Sequence, residues 1–162
     1  MELRPIGTVA SDRTEALDDD WDSVTSTITL DPEVLAPDAV KGLMDFSHVE
    51  VVYLFDRVDP NGVVTGFRHP RGNQAWPEVG ILAQRARNRP NRIGICCCRL
   101  LAVEGLNLRV LDLDAIDGSP VLDVKPYMTE FGPRGPVRPP EWATQLMSGY
   151  WSAPTIPKPP GP

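Results

Sequence analysis

Three arginines stand at alternate positions ahead of a proline: Arg85, Arg87, Arg89 and Pro90. In extended backbone, residues at i, i+2 and i+4 face one side, so these guanidinium groups would form a cationic stripe. Such a stripe suits a carboxylate or phosphate, which arginine grips through paired N–H bonds. The alternative is a solvated loop that balances an acidic surface, since the chain has a net charge of −6. Pro90 stiffens the backbone and apolar segments flank the loop on both sides, which tilts the reading toward a site.

A second cluster is acidic: Asp112, Asp114, Asp117 and Asp123, followed by Lys125. Carboxylates this dense suit a cationic ligand, but the spacing of a calcium loop is absent. Asp117-Gly118 is also an ordinary turn pair, and Asp114 suits the capping of backbone amides. The two histidines, His48 and His69, lack partners at metal-ligand or triad spacing, so both are expected to be structural. Cys96, Cys97 and Cys98 are consecutive. Neighbours in a strand point to opposite faces, so they form no disulfide framework and read as small core residues of a reducing compartment. No metal site is expected.

The elements that must position these residues are mostly strands. Arg4–Ala10, Val24–Leu30, His48–Val58, Ile93–Val103, Leu106–Leu113 and Val121–Val124 are rich in β-branched or alternating apolar residues. The apolar stretch that opens at Val79 reads as the strand that leads into the arginine loop. Glu104-Gly105 is a tight connection, so the strands on either side form a hairpin. Helices are few: one around Pro37–Leu43 and one from Trp142 to Met147, where prolines and Glu141 mark a start. No βαβ rhythm, nucleotide-binding glycine motif or P-loop is present. The expected fold is mainly β, an open β-barrel with a few short helices.

Bulk properties bound the rest. A chain of 162 residues, 41% hydrophobic and 23% charged, suits one domain with a real core, set here at residues 1–152. Half of the residues from Ala153 to Pro162 are proline, and this tail is expected to be disordered. No run reaches the ~18 apolar residues of a membrane span and the N-terminus lacks a signal-peptide core. The expected location is therefore cytoplasmic, with no membrane partner.

The string Arg87-Asn88-Arg89-Pro90-Asn91-Arg92-Ile93-Gly94, then Leu113-Asp114-Ala115-Ile116-Asp117-Gly118-Ser119-Pro120-Val121-Leu122-Asp123-Val124-Lys125-Pro126-Tyr127, resembles two motifs of one family. Ile6-Gly7-Thr8-Val9 and Gly42-Leu43-Met44-Asp45-Phe46-Ser47-His48 resemble two more, in the same order. The chain is similar to the TsaA-like family of TrmO-type methyltransferases, from about Pro5 to Tyr127. The resemblance implies a β-barrel that binds S-adenosylmethionine, forms a homodimer, and methylates N6 of an adenosine beside a tRNA anticodon. Carried over by position, the cofactor-binding residues would be Arg85, Arg89, Pro90, Asn91, Gly94, Asp114, Asp117, Gly118, Ser119 and Pro120. Asp123 belongs to the same motif, and Asp117, Lys125 and Tyr127 are the catalytic candidates. The ligand chemistry agrees, since the cofactor carries a carboxylate for arginine and an ammonium for aspartate.

This chain departs from the family pattern at several positions. Leu82, Gln84, Ala86 and Arg92 replace the usual Phe, Thr, Ser and second Pro of the first motif. Asp56 stands where family members often place histidine. Ala10-Ser11-Asp12 replaces Arg-Ser-Pro, and an acidic run, Asp18-Asp19-Asp20-Trp21-Asp22, follows. No second domain of the size seen in longer bacterial members is expected after Tyr127. Nucleic-acid binding rests on basic residues that neutralise phosphates, and a sequence pI near 4.9 opposes it. The balance therefore favours a small-molecule or other non-RNA acceptor. tRNA methylation and non-catalytic cofactor binding are the alternatives.

Overall fold

The computed structural model describes residues 2–151, so the proline-rich tail lies outside the described residues. Six strands form a closed antiparallel barrel in the order β1-β2-β7-β6-β3-β8. They are β1 (Gly7–Ser11), β2 (Thr25–Leu30), β3 (His48–Leu54), β6 (Ile93–Glu104), β7 (Asn107–Leu111) and β8 (Pro120–Pro126). Two short strands, β4 (Phe67–Arg68) and β5 (Val79–Gly80), pair outside the barrel. One helix, α1 (Glu141–Met147), follows.

Alternation explains the core. Ile28 and Leu30 of β2, Val49, Val51 and Tyr53 of β3, Leu108 and Val110 of β7, and Val121 of β8 all point inward and are buried. On β6, Cys96, Cys98 and Leu100 point in, while Ile95, Cys97 and Arg99 point out. The cysteine triplet is thus split by the strand period of two. Its outer two members are core residues and the middle one is exposed.

The barrel is closed, where the sequence suggested an open edge. β6 is long enough to pair β3 through residues 93–99 and β7 through residues 99–104. A register shift between Leu100 and Ala102 bends it from one partner to the other. Closure is made by a short β1–β8 seam, Gly7↔Val121 and Thr8↔Pro120. A Cβ at Gly7 would lie 2.6 Å from the Thr29 carbonyl oxygen, so only glycine lets β1 lie this close to β2.

Other expectations need correction. Ile81–Ala83 turns into a 3-10 helix, which leaves only Val79–Gly80 of the strand expected before the arginine loop. The expected helix at Pro37–Leu43 is a series of turns that ends in a 3-10 helix at Leu43–Asp45. The C-terminal helix forms where the prolines placed it. Among the described residues, no helix is long and apolar enough to cross a membrane.

Candidate active site

After the 3-10 helix at Ile81–Ala83 the chain is irregular through residue 86, turns through residues 87–91, and reaches Arg92 at φ 52°. The expected cationic stripe needs extended backbone, so it does not form. The three arginines fan out instead. Arg85 donates to the Ile95 carbonyl at 2.6 Å. Arg87 donates to the Ala16 carbonyl, and Arg89 reaches the Gln84 carbonyl at 3.5 Å. All three still line one cleft of about 1350 Å³, as do Pro90, Asn91 and Gly94.

Gln84 and Arg92 hold the loop. Gln84 is buried, and its side-chain amide donates to the carbonyls of Val79, at 2.9 Å, and Arg68, at 3.2 Å. It pins the loop to the β4–β5 ribbon. Arg92 donates from its backbone to the Arg89 carbonyl at 3.0 Å and from its side chain to the Val58 carbonyl at 3.0 Å. A proline there could neither donate that N–H nor reach a positive φ.

Asp114 faces the arginines across the cleft. Its backbone N–H donates to the Cys96 sulfur at 3.4 Å, and its Oδ2 accepts a bond from the Tyr150 hydroxyl. Burial pushes its carboxyl up to about 6, partly offset by that hydroxyl and by the Arg85 guanidinium. Burial also raises the Tyr150 phenol above its ordinary value, with the Asp114 charge adding to the effect. The proton therefore stays on the tyrosine oxygen. The Cys96 thiol, pushed up to about 12 mainly by burial, is an inert support rather than a nucleophile.

The second motif divides. Asp114, Ala115, Ile116 and Ser119 line the cleft, whereas Asp117, Gly118 and Pro120 do not. Asp117 Oδ1 accepts from the Ser11 N–H at 3.1 Å, its N–H donates to the Arg13 carbonyl at 2.8 Å, and its carbonyl accepts from Arg57 at 2.6 Å. Gly118, at φ 81°, donates to the Val9 carbonyl at 2.8 Å. This turn ties β8 to β1 and completes the barrel. Lys125, expected as a catalytic candidate, pairs with Asp123 on the surface. Tyr127 also lies away from the cleft, donating its backbone N–H to His48. Of the expected set, the structure brings together Arg85, Arg89, Pro90, Asn91, Gly94, Asp114 and Ser119.

The sequence reasoning missed other cleft residues. Arg68 lines the cleft, and its buried Nε has no hydrogen-bond partner. Trp21, Arg71 and, from the C-terminal helix and the turn after it, Trp142 and Tyr150 join the lining from three separate segments, and no local pattern marks them as neighbours. Among the described lining residues, six arginines (Arg57, Arg68, Arg71, Arg85, Arg87, Arg89) meet four aspartates (Asp18, Asp56, Asp59, Asp114). The cleft is thus locally cationic in an acidic chain.

Comparison with known proteins decides the family. The model of the tRNA-methyltransferase O N-terminal domain matches residues 18–132. This chain belongs to the tRNA-methyltransferase O family. A probable S-adenosyl-L-methionine-binding protein of Methanothermobacter thermautotrophicus is 39% identical over 139 residues, which span 83% of this chain and 96% of that protein. The tRNA (adenine(37)-N6)-methyltransferase of Escherichia coli K12 is 38% identical over 96 residues, 56% of this chain and 40% of that enzyme. The crystal structure of TrmO from Pseudomonas aeruginosa superimposes with a TM-score of 0.70 at 28% identity, covering 86% of this chain and 61% of that one. The chain therefore spans about three fifths of the solved family structure, and its mainly β barrel is the family's fold.

Proposed function

We propose that this chain is an S-adenosylmethionine-dependent methyltransferase that acts on an adenine of tRNA. The observation that carries the reading is the convergence of Arg85, Arg89 and Asp114 on one large cleft. This donor set fits the cofactor's amino-acid end: guanidinium groups for its carboxylate and a carboxylate for its ammonium. Arg68 Nε, buried without a partner, offers a further donor to an anionic or acceptor group. Phe55, Trp142 and Leu146 add apolar walls for a nucleoside base. When bound, the cofactor supplies an electrophilic methyl on sulfur.

The residues of the chain hold and align. Tyr150 keeps its proton and donates a hydrogen bond to Asp114 Oδ2, which orients the carboxylate. Arg85 neutralises part of its charge. Alignment is the main requirement of an in-line methyl transfer. The expectation of a non-RNA acceptor draws no support from the relatives, several of which are named for tRNA adenine methylation. The cationic lining also supplies locally what the net charge of −6 withholds.

The test is incubation of the full chain with methyl-labelled S-adenosylmethionine and unfractionated tRNA. Label is expected in tRNA, at N6 of adenine after nuclease digestion, with S-adenosylhomocysteine released in step. Arg85→Ala should weaken cofactor binding by about 1–3 kcal/mol, the scale of a lost charged hydrogen bond. Cofactor binding without any product, under conditions where tRNA also binds, would instead mark a non-catalytic cofactor-binding protein.

A further inference from the structure

The acidic run after β1 packs onto the cleft. Asp19 grips Arg71 bidentately, Nη1 to Oδ2 at 2.9 Å and Nη2 to Oδ1 at 2.8 Å. Asp18 adds its carbonyl to Arg71 Nη2 at 3.2 Å and a carboxylate oxygen 3.8 Å from Nε. The same Asp18 lies 4.0 Å from Arg87. Behind the run, Arg13 donates to the carbonyls of Asp19, at 2.9 Å, and Asp20, at 3.2 Å, and sits 4.4 Å above the Trp21 ring. The run is therefore a shaped strap, held at both its carboxylates and its backbone. Arg71 adopts φ 51°, ψ 18° to meet it, a conformation disfavoured for a residue with a side chain.

Arg71 and Arg87 both line the cleft. A two-pronged grip on a guanidinium is the geometry with which arginine also takes phosphate. We propose that this acidic strap is an intramolecular competitor for nucleic-acid phosphate, occupying Arg71 and Arg87 until the polyanionic substrate displaces it. The inference rests on the reading of the cleft as a tRNA methylation site and names how that site is regulated. The strap holds stray anions off the cleft. A substrate gains access only where enough phosphates act together to replace both carboxylates. Because Arg71 and Arg87 are ion-paired in both states, part of the salt dependence of binding cancels while the strap is in place.

The experiment compares wild type with D18N/D19N in the full chain, measuring anisotropy of fluorescein-labelled tRNA and calorimetry with inorganic polyphosphate. E33Q/D38N, which removes equal charge from exposed positions outside the cleft, controls for net charge. D18N/D19N should bind both polyanions at least about fivefold tighter at about 100 mM salt, with a steeper salt dependence. Adding Arg71→Ala should abolish the gain, and E33Q/D38N should gain less than about twofold. An equal gain in both double variants, or no gain in D18N/D19N with its thermal transition intact, overturns the strap. Should the double variant lose its thermal transition, D19N alone is measured by the same criteria. If wild type methylates no tRNA, the proposed function fails by itself. The polyphosphate measurement still judges the strap.

Discussion

At the scale of single residues, Asp114 carries the most consequence. Its folded pKa of about 6 lies above the ordinary carboxylate value, so between about pH 4 and pH 6 the folded chain holds a proton that the unfolded chain has lost. Stability therefore falls as pH rises through that window, and the loss is complete above it. Asp114→Asn should raise stability by about 1–2 kcal/mol at pH 7.5 and by nothing at pH 4, read by thermal melts. A cationic ligand group reverses the preference by favouring the ionised carboxylate. Cofactor affinity should consequently rise with pH through about 6 in wild type and stay flat and weak in the Asn variant. Tyr150→Phe removes a donor that favours ionisation, so the midpoint should move upward by about half a unit to one unit. A midpoint that ignores both substitutions would remove Asp114 from the ligand site.

At the scale of elements, the turn before β8 divides one motif into two jobs. Asp114 projects into the cleft, while three residues later Asp117 binds Ser11, Arg13 and Arg57. Asp117→Ala keeps the two backbone bonds but removes the carboxylate that accepts from the Ser11 N–H, and should cost about 1–3 kcal/mol of stability, the scale of one lost charged hydrogen bond. Cofactor affinity, by calorimetry, should stay within about twofold, below the 1.4 kcal/mol of a tenfold change. The opposite pattern, normal melting with lost affinity, would return Asp117 to the ligand site that the family resemblance implied. The β3–β6 pair shows a similar division. Gly94 lines the cleft, yet a Cβ there would fall 2.4 Å from the Tyr53 ring. Its lack of a side chain serves the packing of a buried aromatic across the strands as much as any ligand.

At the scale of the whole molecule, closure of the barrel rests on a short seam. β1 reaches β8 through only two residue pairs, and on its other side it lies against β2 only because the backbone at Gly7 is bare. Gly7→Ala pushes a methyl into the Thr29 carbonyl and should cost roughly 2–3 kcal/mol in chemical denaturation. Gly80→Ala, where a Cβ meets nothing within 4 Å, should change stability by less than about 0.5 kcal/mol. Equal effects at the two positions would show that the β1–β2 contact at Gly7 is no tighter than an ordinary surface position. Net charge is likewise a property of the whole that misleads about the part. An acidic molecule argued against an RNA acceptor, yet the arginines gather where the fold leaves a cavity, and much of the acidity nearby is an ion-paired strap.

The amino-acid sequence by itself determined the strand-rich class, most strand positions, the Glu104-Gly105 hairpin, the terminal helix and the clustering of arginines in one loop. These follow from local rules: a period of two in burial, turn residues, and a proline that ends regular structure. Tertiary structure alone decided that β6 bends to serve two partners and that the sheet shuts. It also set the arginines fanning from a turn rather than lining a strand, and put Asp114 in the cleft with Asp117 outside it. It brought Arg68, Arg71 and Tyr150 to the cleft from distant segments and laid the acidic run across it. The reason is physical: a side chain's partner across space depends on register, curvature and closure, and these are settled by contacts between residues far apart in the chain.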